Sequence, residues 1–148
     1  MYKKRYILAL LLLIFIFPLA GSVVLYYYHD SFSFNTVNHG TLVVPPHPVH
    51  SPLPAMYSRQ WQIVFITGGP CDTDCKLIAH SLQQMIKVLG KDADRVAFAQ
   101  VNHWSSLQAK QIYLIDPQTN LFMYYPSNTN PIHILKDLKR VLEVSQIG

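Results

Sequence analysis

The stretch Trp61–Lys76, WQIVFITGGPCDTDCK, decides the fold. Its first half, from Trp61 to Thr67, is a run of β-branched and aromatic residues closed by Gly68-Gly69-Pro70, the pattern of a buried strand that ends in a turn. Its second half opens a helix. Ile78, Leu82, Met85, Ile86 and Leu89 fall at i, i+4, i+7, i+8 and i+11, which puts them on one helical face, while Lys76, His80, Gln83 and Lys87 take the other. Gly90 is a natural stop. The only two cysteines, Cys71 and Cys75, therefore lie at a strand-to-helix junction.

Downstream the periodicity changes again. Arg95–Val101 and Lys110–Asp116 read as strands, and Leu121–Pro126 as a third, with Asp116-Pro117-Gln118-Thr119-Asn120 as the hairpin turn between the last two. Asn120 is expected to take any left-handed conformation that this turn requires. Asn130 is a good N-cap, Pro131 suits the first helical position, and Ile134, Leu135, Leu138, Val141 and Leu142 form the apolar stripe of a closing helix. Strand, helix, strand, hairpin, helix is the order of an α/β fold with a thioredoxin-like mixed sheet and flanking helices. Its usual middle helix is missing or reduced to Trp104–Lys110.

Upstream, residues 6–28 carry no charge, and as a helix they would cross the ~30 Å hydrocarbon layer. Lys3, Lys4 and Arg5 precede this segment, so the positive-inside rule predicts a cytoplasmic N-terminus and an exported remainder. A cleaved signal peptide ending near Ala20 is the competing reading. The apolar run continues through Leu25, which favours a retained anchor. The organisation expected is a basic cytoplasmic terminus (1–5), a transmembrane helix (6–28), a Pro-rich extracytoplasmic tether (29–56) and a thioredoxin-like domain (57–148). Within the tether, "HGTLVVPP" could add a short strand, the part around Pro46-His47-Pro48 should stay extended, and His47 and His50 read as solvated. Of the formal net charge of +4, three units sit on Lys3, Lys4 and Arg5. No basic footprint for nucleic acid is left on the rest.

At a helix N-terminus the unpaired N–H groups favour a thiolate, whereas the neighbouring carboxylates of Asp72 and Asp74 oppose one. Cys75, in register with Ile78 and Leu82, should face inward and leave Cys71 more accessible. Three readings stay open. The pair could hold a soft metal such as Cu(I), for which two thiolates and one further ligand suffice, with His103 in the link "NHWSSLQAK" as the candidate third donor. It could be a thiol–disulfide exchange couple. It could be a structural disulfide, although closing so short a loop contributes only about 2 kcal/mol in the chain-entropy model. His39 and His133 have no comparable geometric case as ligands.

The N-terminal anchor, the strand into Cys71-x-x-x-Cys75, and "IYLIDPQTNLFMYYP" before an amphipathic helix together resemble the Sco group of copper chaperones for cytochrome c oxidase. Short, anchored proteobacterial relatives described as cytochrome oxidase assembly proteins are the nearer likeness. The resemblance runs from about Trp61 to the C-terminus. It implies copper binding or disulfide exchange at Cys71 and Cys75, an oxidase subunit or other assembly factors as partners, and an inner-membrane protein whose domain lies in the periplasm. Sco proteins place their copper-binding histidine just before the strand matching Ile112–Ile115, where this chain has Gln108, Ala109 and Lys110. An ordinary thioredoxin would carry a proline there.

Overall fold

The computed structural model describes residues 2–28, 37–50, 59–104 and 107–145. Half of the expected tether (29–36 and 51–56) and Ser105-Ser106 of the link lie outside these residues. The chain forms two compact units, 1–37 and 38–148.

The first unit is one helix, α1 (Tyr2–Tyr27), with Pro18 inside it. At ~1.5 Å per residue it is roughly 39 Å long, more than the hydrocarbon layer requires. From Tyr6 to Tyr27 its large aliphatic and aromatic side chains are exposed. Among the described residues this is the one helix long and apolar enough to cross a membrane.

The second unit is built on five strands: β1 (Thr41–Pro48), β2 (Trp61–Ile66), β3 (Val96–Val101), β4 (Gln111–Ile115) and β5 (Asn120–Pro126). Their order across the sheet is β1-β5-β4-β2-β3. The β2–β3 pair is parallel and the others are antiparallel, so the sheet is mixed. Every residue of β2 is buried, as befits an inner strand covered on both faces. The helix α2 (Thr73–Lys87) returns the chain from β2 towards β3, through a short 3-10 turn at Gly90–Arg95. The helix α3 (Pro131–Val144) closes the chain, with the Asn130 side chain accepting from the Ile132 N–H at 3.0 Å.

Both helices pack on one face of the sheet. That core joins Ile63, Phe65, Ile112, Leu114 and Tyr125 to Leu82 and Met85 of α2 and to Ile134 and Leu138 of α3. The opposite face gathers Val64, Ile66, Tyr113, Ile115 and Leu121 under Trp104 and Leu107 of the link, with Val43 and Val49 beside them. No helix occurs among the described residues of that link, in keeping with the reduced middle helix expected from its length.

The short strand expected in "HGTLVVPP" is present and runs on through Pro48. It is the edge of the sheet, where proline's missing donor is tolerated, and its register against β5 is interrupted between Leu42 and His47. In the β4–β5 hairpin the left-handed residue is Thr119, at φ +67, and not Asn120. The reason is Asp116. Its carboxylate accepts from the N–H groups of Gln118 and Asn120, both at 2.8 Å, and from Asn120 Nδ2 at 3.0 Å. Asn120 is thereby fixed as the first residue of β5, and the reversal falls on Thr119.

A buried carboxylate ties the start of β1 to α3. Asp137, 2% exposed, accepts from the His39 N–H at 2.7 Å, the Gly40 N–H at 3.1 Å and the Tyr125 hydroxyl at 2.9 Å, and its other oxygen meets His39 Nδ1 at 3.0 Å. Burial alone would raise the pKa of this carboxyl. The bonds from the His39 ring and N–H, then Tyr125 and Gly40, outweigh burial and hold it below the usual range. Burial and the adjacent carboxylate push the Tyr125 hydroxyl far above the ordinary tyrosine value. His133 stacks on His39 with ring centroids 4.4 Å apart.

Candidate redox site

Cys71 and Cys75 are joined in a disulfide, with their Cα atoms 5.2 Å apart. Their positions follow from the local sequence. Asp72 is the N-cap of α2, and its carboxylate accepts the Cys75 N–H at 2.9 Å. Cys71 thus precedes the cap, and Cys75 is the third residue of the helix, one turn along on the same side. Three intervening residues suit a bridge between those two positions. Both cysteines are half-buried, and Cys75 packs against the main core as its register with Ile78 and Leu82 predicts.

The loop before the disulfide is pinned on two sides. The N–H groups of Thr67 and Gly68 each donate, at 2.9 Å, to Val101 and Asn102 at the end of β3. On the other side Gly68, at φ +80, lies so close to Ala109 that an added Cβ would stand 2.6 Å from the alanine methyl. Glycine meets both the positive φ and the close approach. Lys110 follows, also left-handed at φ +58, with its N–H donating to the Ile66 carbonyl at 2.8 Å and its own carbonyl accepting from Ser127 at 3.1 Å.

These elements border an open cavity of about 500 Å³ at the disulfide, lined by Asp72, Asp74 and Cys75 of the α2 end and by Lys110, Ser127 and Asn128 of the loops beside β4 and β5. A second hollow, of about 490 Å³, continues from Ile78, Ser127 and Asn128 between α2 and α3. Gln100, on β3, donates from Nε2 to the Cys75 sulfur at 3.8 Å.

Of the residues singled out in the sequence, the structure brings Cys71 and Cys75 into one bond. His103 is exposed in the link after β3. Among the described residues no three His, Cys, Asp or Glu side chains gather as a metal-holding group. Sulfurs committed to a disulfide offer no thiolate, so in this oxidised state the donor set does not fit Cu(I). His39 and His133 sit instead at the Asp137 cluster. Asp72, Lys110 and Gln100 take roles at the site that the sequence alone does not assign. Asp72 had a visible signal, an aspartate directly before the first helical turn. Lys110, just before β4, carries no signal of this role in the sequence, and Gln100, in an apolar strand, none beyond its polarity.

Comparison with known families matches residues 98–145 to one described as a transmembrane-like, thioredoxin-like, C-terminal domain. The sheet order, the cysteine-bearing strand-to-helix junction and this match agree on the architecture. The second unit is a thioredoxin-like domain. The matched span runs from within β3 to the end of α3 and so includes Gln100 and Lys110 but not the cysteines. No curated protein and no solved structure matches the chain.

Proposed function

We propose that the chain is a membrane-anchored thiol–disulfide exchange protein whose working groups are Cys71 and Cys75. The observation that carries this reading is the placement of the disulfide, across the first turn of α2 and beside an open cavity. A bridge used only as a brace gains most from closing a long loop, and this one closes a very short one, worth about 2 kcal/mol. Helix N-terminal N–H groups favour the thiolate that exchange requires.

α1 supplies the anchor. By the positive-inside rule Lys3, Lys4 and Arg5 favour a cytoplasmic N-terminus, and on this reading the domain works outside the inner membrane, in the periplasm, where disulfides persist.

The test is a redox equilibrium of the full chain in detergent against glutathione buffers. A potential in the range of exchange proteins supports the reading, and one below about −300 mV marks an inert bridge and ends it. Copper handling, and with it cytochrome c oxidase assembly, would require the pair reduced and a third donor. Anaerobic Cu(I) titration of the reduced chain addresses that. One copper held in a Cys71- and Cys75-dependent way, and weakened by His103→Ala, would put copper handling in place of exchange.

A further inference from the structure

We propose that Gln100 and Lys110 stabilise the negative charge that appears on the Cys75 sulfur when the disulfide opens, and so direct an incoming thiolate to Cys71. This rests on the exchange reading above. The two sulfurs are not equivalent. Cys75 lines the cavity and accepts the Gln100 Nε2–H, and neither feature involves Cys71. Among the described residues, Lys110 is the one cation that lines this cavity, together with Asp72 and Asp74. Asp72, whose carboxylate accepts the Cys75 N–H, and Asp74 both oppose the negative charge on Cys75.

The backbone reinforces the assignment. A lysine at φ +58 costs on the order of 1 kcal/mol that glycine would not. Its main chain is nonetheless fixed there from both sides, by Ile66 and Ser127, which keeps the side chain at the cavity.

In the step itself a partner thiolate attacks Cys71 Sγ. A bond forms between the partner sulfur and Cys71 while the Cys71–Cys75 bond breaks, and its electron pair departs on Cys75. The partner sulfur is oxidised to a mixed disulfide, and Cys75 is reduced to a thiolate that later takes a proton from water. Gln100 and Lys110 meet the charge where it arises. A leaving sulfur stabilised in this way departs faster.

The experiment uses the oxidised full chain in detergent with glutathione as the probe thiol, an acid quench, alkylation of free thiols and mapping by mass spectrometry. Glutathione is expected on Cys71 and the alkyl label on Cys75. Opening should slow about threefold in Lys110→Gly, the size expected of one unit charge acting across a solvent-filled cavity. It should slow comparably in Gln100→Leu and stay near the wild-type rate in Lys110→Arg. Lys110→Gly suits the left-handed backbone, so loss of folding does not obscure the result. Glutathione on Cys75, or equal slowing in Lys110→Arg and Lys110→Gly, overturns the proposal while exchange itself stands. A wild-type disulfide that glutathione cannot open sinks the exchange reading and this proposal with it.

Discussion

Replacing Asp137 separates two accounts of what holds the start of β1. Its carboxylate takes the N–H groups of His39 and Gly40 and the Tyr125 hydroxyl on one oxygen, and meets His39 Nδ1 with the other. Asp137→Ala removes both acceptors inside a buried site. The Tyr125 hydroxyl keeps a second contact, with Met123 Sδ at 2.8 Å, but two backbone donors lose the partner they have here. Breaking one side of a buried charged network typically costs about 3 to 5 kcal/mol, and that is the loss expected. Asp137→Asn is a sharper probe. Its amide oxygen can replace the oxygen that takes three donors, and its NH₂ can donate to His39 Nδ1 in the neutral ring tautomer. The expected loss is then about 1 to 2 kcal/mol, the cost of removing charge from hydrogen bonds that otherwise persist. Urea unfolding of the full chain in detergent, followed by fluorescence of the buried Trp61, reads both variants. An alanine variant within 1 kcal/mol of wild type, or an asparagine variant less stable than the alanine one, would refute the clamp as drawn.

The same carboxyl gives an acid limb. Its folded pKa lies below its unfolded one, so its contribution is complete above the ordinary aspartate range and is lost as pH falls below about 4; unfolding scans should show a drop there that Asp137→Asn flattens. Gly40→Ala would drive a Cβ to 2.5 Å from Tyr125 Cε1 and 2.8 Å from Met123 Cγ, and the forced repacking should cost about 1 to 3 kcal/mol in the same urea assay. Gly68→Ala meets Ala109 at 2.6 Å and strains a positive φ, whereas Gly69→Ala meets nothing within 4 Å. The first should destabilise by about 1 to 3 kcal/mol and the second by less than about 1, and equal losses would refute the close approach. Tyr125→Phe removes one donor from Asp137 and should cost about 1 to 2 kcal/mol at neutral pH by urea midpoint.

What could be read in advance was periodic. α2 and α3 announce themselves by an apolar face and a stop or cap, and β2 to β5 by short β-branched and aromatic runs between turn residues. β1 was legible only in part, because its prolines argue for an extended tether, and pairing with β5 is a long-range event that local propensity does not encode. Thr119, not Asn120, bears the left-handed backbone for a related reason. Asparagine accepts a left-handed backbone more readily than threonine, but the three bonds to the Asp116 carboxylate decide which residue bears it. Asp137 left a clue that went unread. It lies three residues after Ile134 and beside Leu138, on the apolar side of α3, where a carboxylate must find donors or be excluded. Which donors these are, from His39 almost a hundred residues earlier, is visible only once the sheet has formed.

At the candidate site the sequence supplied the nucleophilic atoms and the fold supplied their surroundings. Cys71 and Cys75 can be placed at a helix N-terminus from the pattern of Trp61–Lys76, with Cys75 facing inward, but the groups that meet each sulfur are not legible there. Their difference comes from the other half of the domain. The span matched by family comparison, residues 98–145, contributes Gln100 against the Cys75 sulfur, Ala109 against Gly68, and Lys110, Ser127 and Asn128 as lining of the cavity. The cysteine-bearing junction lies outside that span. On the exchange reading proposed above, the chemistry depends on how two segments meet, one bringing a bond that can break and the other the groups proposed to decide on which sulfur the electrons remain. A change at Lys110 or Gln100 should alter reactivity without moving either cysteine, whereas a change at Gly68 should alter how the two segments approach.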